Sequence, residues 1–258
     1  MVREVLARRI ALGLEYDGSR FLGWQTQPGG GTVQDALEAA LSAIADTQVS
    51  ATAAGRTDRG VHARLQVVHF ETEAKRPASA WVRGVNALLP GAAAVLWSHE
   101  VSKEFHARYS ARSRTYRYAL LNRAVRPALS AHYAGWFHRP LDVRRMREAA
   151  ALLVGEHDFS AFRSSECQAK TPVRTIHAFE VEKNGETIEF VVRANAFLHH
   201  MMRNLVGTLV YVGKGKHSPQ WVSEVLNSRD RAKAAPTFGP EGLYLETIEY
   251  QPQWGLPV

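Results

Sequence analysis

The 258-residue chain carries 32 Lys plus Arg against 25 Asp plus Glu, a net charge of +7, and is 45% hydrophobic. That apolar share supplies a full core and excludes a disordered tail, while the lone cysteine, Cys167, excludes an internal disulfide and a cysteine-clustered zinc site. The longest apolar candidate for a span, Leu205 to Val212, is short and broken by Gly207 and Thr208, so no membrane is expected, since a span needs about 18 apolar residues.

Met1 to Arg9 mixes charges too densely for a signal peptide, and a chain of this length without disulfides is expected in the reducing cytoplasm. Arg9 to Tyr16 alternates, puts Ile10, Leu12, Leu14 and Tyr16 on one face, and predicts a strand. Thr32 opens a capped helix through Ala45 with Val33, Leu37, Leu41 and Ile44 inward. A short strand over Val49 to Ala53 and a longer one over Leu65 to Glu71 flank a polar loop, Gly55 to Ala63. Ser79 is expected to cap a short helix that Pro90 and Gly91 stop after Leu88, and Ala94 to His99 reads as a strand.

The second half runs similarly. Arg114 to Leu121 alternates as a strand, and Asp142 caps a helix to Val154, closed by Gly155. Arg174 to Glu182 and Thr187 to Arg193 flank Asn184-Gly185, a hairpin signal. Helices are expected over Phe197 to Val212 and from Ser218-Pro219 through Leu226, and a last strand over Leu243 to Tyr250. Each half therefore reads strand, helix, strand, strand, helix, strand, with one extra helix in the second. That is the order of a ferredoxin-like split βαβ unit. The expected fold is α+β, two ferredoxin-like subdomains with antiparallel sheets and a basic cleft between them, divided as residues 1–107 and 108–258.

The charge is uneven. Residues 101–150 hold eleven basic residues and three acids, +8 in all, which leaves the remainder at −1. Tyr109, Tyr116, Tyr118, Tyr133, Trp136 and Phe137 are interleaved with those arginines. Forked guanidinium donors for phosphate and rings for unpaired bases suit a nucleic acid; a solvated basic face on an ordinary enzyme has the same composition.

Several motifs fail on their own terms. Gly29-Gly30-Gly31 lacks the dinucleotide pattern, and Gly207 to Gly215 has five residues where a P-loop has four, with Gly215 in place of its Ser or Thr. His199 and His200, adjacent on a predicted helix, point about 100° apart and do not form a metal pair. Cys167 reads as a structural thiol.

One loop is different. Ala54-Gly-Arg-Thr-Asp-Arg-Gly-Val-His-Ala63 concentrates charge, glycine and histidine between two strands. Arg56 and Arg59 flank Asp58 and favour a carboxylate there, and Gly55 and Gly60 permit a tight path that lets a ligand approach the backbone. One reading is a turn in which Asp58 bonds its own backbone. The other is a carboxylate that serves as nucleophile or base toward a ribose or an electrophilic base ring.

Gly55 to Ala63 resembles the catalytic loop of the tRNA pseudouridine synthase A (TruA) family. Further segments resemble that family in the same order: Leu14 to Gly18, Phe21 to Gln25, Val85 to Pro90, Phe105 to Ser110, Arg114 to Tyr118, Gly155 to Arg163, Asn195 to Asn204 and Glu241 to Leu245. The likeness spans almost the whole chain; Met1 to Arg8 and Pro252 to Val258 lie outside it. Arg114 stands where lysine is commoner, which keeps the charge. The resemblance implies the pseudouridine synthase fold, a homodimer without metal or organic cofactor, and isomerisation of uridine to pseudouridine at positions 38, 39 and 40 in the anticodon stem-loop of tRNA. It implies that Asp58 is the catalytic carboxylate, acting on the sugar, on the base or on a ribose proton. Tyr116 is implied to stack on the target uracil, Arg203 to pair with the carboxylate, and Leu243 to lie under the flipped base. Arg56 and Arg59, together with Arg112 and Arg114 of the basic stretch, are the expected RNA contacts. Two alternatives are a non-catalytic tRNA-binding or chaperone module of the same fold, which would not require Asp58, and a metal-dependent nuclease, which would need clustered carboxylates or histidines.

Overall fold

A computed structural model describes residues 7–257; most of the charged N-terminal segment discussed above, residues 1–6, lies outside them. The chain divides into two compact units. One runs to Arg112 and takes in the segment from Leu245 onward, and the other is Ser113–Tyr244. The division thus falls five residues beyond the expected one, and the C-terminal strand is mostly packed with the first unit.

In the first unit, β1 (Arg8–Tyr16) is flanked by antiparallel β3 (His62–Thr72) and β4 (Ala93–Val101), and β2 (Ala51–Ala53) pairs with β3. β10 (Leu243–Tyr250) is the neighbour of β3, so the order is β4-β1-β3-β10. Helix α1 (Val33–Ala45) starts where expected, because Thr32 and Asp35 form a reciprocal capping box. Ser79 does not cap the next helix. It is itself helical, and the segment opens as a π-helical turn, Ala80–Gly84, that continues into α2 (Val85–Leu88). The core requires this wider turn's Trp81, which is 1% exposed and edge-on to Phe70 at 5.1 Å. Leu12, Leu14, Leu37, Leu41 and Val67 complete that core with no exposure.

The second unit begins within β5 (Ala111–Asn122) and includes β6 (Gly135–Phe137), parallel to it and absent from the expected elements. Asn122 accounts for β6: its amide donates to Phe137 O and Arg139 O and accepts from Leu141 N, pinning the returning chain. Then come α3 (Val143–Ala151), capped by Asp142, β7 (Gly155–Asp158), β8 (Val173–Asn184), β9 (Thr187–Ala194), α4 (Met201–Gly213) and α5 (Trp221–Ser228). The sheet order is β5-β9-β8-β7. The β8–β9 hairpin closes at Asn184↔Thr187 through Gly185, whose φ of 60° needs glycine.

Helix α4 starts four residues later than its apolar pattern suggested. His200 precedes it with a left-handed φ of 61°, and the His199 and His200 rings lie 4.0 Å apart. They are turn residues, so the helical geometry that would separate them by about 100° does not apply. All of α4 is buried except Arg203 and Tyr211, which are half-buried. The glycines of the failed P-loop pattern serve packing instead. A Cβ on Gly207 would stand 2.3 Å from Pro236 O, and one on Gly213 2.6 Å from Met146 Sδ. Among the described residues no helix is long and apolar enough to cross a membrane.

Candidate active site

The loop between β2 and β3 is held at nearly every residue around Asp58. Ala54 N donates to Val67 O at 2.8 Å, Thr57 O accepts from Trp24 N at 3.0 Å, Asp58 O accepts from Val61 N at 3.1 Å, and Gly60 N donates to Gly18 O at 3.3 Å. Behind the backbone, buried Thr57 shares a 2.8 Å hydrogen bond with the Tyr16 hydroxyl. Gln66, wholly buried, donates to Gly55 O at 2.6 Å and to Tyr16 Oη at 3.4 Å. Burial pushes the Tyr16 hydroxyl up to about 12, so it stays protonated and available as a donor.

Two of the motif segments form the bed of this loop. Asp17 caps the turn Gly18–Arg20 through Ser19 N, and buried His62 places Nδ1 3.1 Å from Gly18 N and 3.2 Å from Asp17 Oδ1. A Cβ on Gly18 would stand 1.9 Å from Val61 O. Gly23, with φ +101°, passes so close to the loop that a Cβ would lie 3.1 Å from both Thr57 O and Arg59 N. Asp58 is half-buried on this scaffold, and Arg56 and Arg59 are exposed beside it. A carboxylate whose backbone cannot drift is organised in advance to attack or to take a proton.

The second unit carries the other expected site residues. Arg114, Tyr116 and Tyr118 share one face of β5, as strand periodicity demands. Tyr116, 8% exposed, stands opposite Val192 and meets Phe197 edge-on at 4.8 Å. Tyr118 is fully buried and donates to Gly239 O at 2.9 Å, and its ring meets Phe190 and Phe238 edge-on. Burial, with Glu241 nearby, drives its hydroxyl well above the usual tyrosine range. Arg203 donates Nε to Phe238 O at 2.8 Å and accepts at its own carbonyl from Phe238 N. Leu243, 4% exposed, donates its N–H to Pro240 O. Arg203, Leu243 and Tyr118 therefore converge on one segment, Phe238 to Leu243. A Cβ on Gly242 in that segment would stand 2.2 Å from Ala119 O, so only glycine lets the segment lie against β5.

The basic stretch is divided between the two units. Lys103, Arg108 and Arg112 belong to the first unit and the remainder to the second. Arg117 and Arg123 are paired with Glu189 and Glu186, and Arg145 and Arg147 bond backbone carbonyls. Arg112 is exposed, whereas Arg114 is 8% exposed with Nη1 on Asn195 O at 2.9 Å. Sequence reasoning missed Thr57, Gln66 and His62 as supports of the loop. The available signal was Gln66, a polar residue in a strand whose neighbours Val67, Val68 and Phe70 are core.

A family model described as tRNA pseudouridine synthase matches residues 14–110 and 149–251. Residues 111–148, including Tyr116, fall between those spans. Proteins named tRNA pseudouridine synthase A are close relatives. That of Methylobacillus flagellatus is 57% identical over 249 residues, covering 96% of this chain and 95% of its own. That of Herminiimonas arsenicoxydans is 55% identical over 257 residues, covering 98% and 94%. Among solved structures, an H/ACA RNP bound to a substrate RNA containing 2'-deoxyuridine is similar at 15% identity and a TM-score of 0.38 over 78% of this chain, which spans 43% of that one. A Cbf5-Nop10-Gar1 complex is similar at 16% identity and a TM-score of 0.36.

Proposed function

This chain belongs to the tRNA pseudouridine synthase family, isomerases that convert uridine in tRNA to pseudouridine, and on that footing we propose that Asp58 is the catalytic carboxylate and that the targets are positions 38, 39 and 40 of the anticodon stem-loop. The observation that carries the assignment of Asp58 is the loop's backbone, bonded at Thr57, Asp58, Gly60 and Val61. A surface turn that merely solvates its charges has no need of Tyr16, Gln66 and Gly18 beneath it.

The reaction breaks the bond from ribose C1' to uracil N1, turns the base, and joins C1' to C5. The C5 proton leaves and N1 gains one, so substrate and product are isomers and no oxidant, metal or organic cofactor enters the balance. A carboxylate at Asp58 has three routes: attack on the sugar, attack on the base, or removal of a ribose proton. Extruding the target base from its stack costs a few kcal/mol, and a ring platform such as Tyr116 returns about 1–3 kcal/mol. Leu243 offers an apolar floor for the base, and Arg203 a cation for the carboxylate. Arg56, Arg59 and Arg112, all exposed, suit phosphate contacts. Arg114 is left out of that set, because its buried guanidinium already serves Asn195 O. The proposed state is a cytoplasmic homodimer.

The test is tritium release from tRNA labelled at uracil C5, with and without chelator, for the wild type and Asp58→Asn. Chelator-resistant release by the wild type alone supports the assignment, and mapping the product gives the positions. Equal release by both proteins would move the catalytic role elsewhere. A folded wild type that binds tRNA but releases nothing would favour a binding module.

A further inference from the structure

A basic pocket with parallel aromatic walls lies in the second unit at the end of α4, and none of its lining residues has a role assigned above. Its volume is about 460 Å³, and Tyr211, Lys216, His217, Trp221, Arg231 and Lys233 line it together with the small residues Ala232 to Pro236. The His217 and Trp221 rings are stacked at 3.8 Å and 15°. Tyr211 is parallel to both, within 12° and 19°, at nearly equal distances of 6.3 and 6.4 Å. Lys214 Nζ and Lys216 Nζ stand 3.6 and 4.5 Å from the Tyr211 ring centre.

Among the described residues, three cations line this pocket and no carboxylate does. Arg231 is fixed through neutral partners only, namely Asn204 Oδ1, Thr237 Oγ1 and Ala235 O. Burial lowers its pKa, as it does for a cation without a compensating anion. Burial and the ammonium groups of Lys216 and Lys214 likewise hold His217 below its ordinary value, against the opposite pull of Glu224. An open pocket whose cations line it without a carboxylate, beside flat ring faces, fits a phosphate joined to a planar base.

We propose that this pocket is a second RNA subsite, taking one nucleotide of the substrate tRNA with its phosphate on Lys216, Lys233 and Arg231 and its base against the Tyr211–Trp221 wall. The inference rests on the tRNA-modifying reading of the chain. The position supports it: Arg203 and Tyr211 are the two residues of α4 that reach the surface. They are eight residues apart, about 12 Å of helix rise, the length of only a few base pairs. A tRNA whose target base lies at Arg203 is long enough to pass the pocket.

The decisive variant is Lys216→Ala with Lys233→Ala, both at exposed positions. The control is Lys170→Ala with Lys183→Ala, which removes the same charge from exposed sites elsewhere in the unit. Affinity for an unmodified tRNA transcript is measured from 50 to 200 mM salt, alongside KM for tritium release and the melting temperature. The pocket variant should lose roughly tenfold in affinity, raise KM in parallel, and shed about 1–2 from the slope of log K against log salt, while the control changes less than about twofold. Ultraviolet cross-linking of the wild type should place RNA on the peptide that contains Trp221. An unchanged affinity and slope in the pocket variant, or an equal loss in the control, overturns the proposal. If the wild type makes no pseudouridine, the enzymatic reading fails; if it does and the pocket variant binds normally, the subsite alone fails.

Discussion

Gly18→Ala should disable the enzyme without touching a charged or reacting group. The φ of Gly18 is not left-handed, so alanine fits the backbone and the obstacle is the Val61 carbonyl oxygen, 1.9 Å from the new Cβ. Ordinary contact begins near 3.4 Å, so the loop must give by on the order of 1.5 Å, and neither atom belongs to a flexible side chain. Val61 N is bonded to Asp58 O, which passes the shift to the carboxylate. Displacement by about 1 Å costs roughly a hundredfold in rate. Overpacking costs about 1–3 kcal/mol. The bonds from Gly60 N to Gly18 O and from Gly18 N to His62 Nδ1 add about 1 kcal/mol each if lost. A small gain from the less flexible unfolded chain offsets part of this. A net loss of about 3 kcal/mol lowers the melting temperature by about 6–12 °C in a chain of this size. The assay is the initial rate of tritium release at saturating tRNA, beside a thermal melt. Gly91→Ala is the control, since a Cβ there meets nothing within 4 Å. A Gly18→Ala protein with wild-type rate and melting temperature would refute the claim that this contact sets the position of Asp58.

Three further outcomes follow from the same geometry. Tyr16→Phe removes the hydroxyl shared by Thr57 and Gln66 and should cost about 1–3 kcal/mol in urea unfolding, with a smaller rate loss than Asp58→Asn. His69 accepts from Ala107 N, and burial, followed by His106 and Arg9, depresses its pKa to about 4 from an ordinary 6.5. The unfolded chain therefore takes up a proton between those values that the folded chain refuses, and stability should fall as pH drops from 6.5 toward 4. Thermal melts at pH 7 and pH 5 should show that fall in the wild type and a smaller one in His69→Gln. Asn204→Ala removes a fully buried amide that donates to Phe162 O and accepts from Arg231 and Thr237; about 3 kcal/mol of stability should go with it, read by urea unfolding.

Features resting on neighbours in the chain were legible from the residues. Thr32 and Asp35 mark the start of α1 because a capping box spans only three residues. Asp142 marks α3, and Asn184-Gly185 marks the β8–β9 turn, for the same local reason. The alternation that places Tyr116 and Tyr118 on one face of β5 is likewise a property of any strand. The candidate loop stood out because charge, glycine and histidine are unusual together between two strands.

The rest depended on residues far apart in sequence. Nothing local distinguishes Arg112 from Arg114, yet one is exposed and the other is closed over Asn195 O, 81 residues away. Gly18 looks like any turn glycine until Val61 arrives at 1.9 Å from where its side chain would be. Cys167 stayed a half-buried thiol with no distinguishing local signal. The late start of α4 was hidden because Phe197 and Leu198 extend its apolar pattern, whereas the chain turns at His200, whose φ of 61° is left-handed. Composition and spacing thus determined most of the elements, their α+β class and a loop that singles out Asp58, since these follow from propensities within a few residues. Which side chains support that carboxylate, which arginines reach solvent, and where cations and rings gather around Tyr211 were decided by the tertiary structure, because burial and hydrogen-bond partners exist only once distant segments meet.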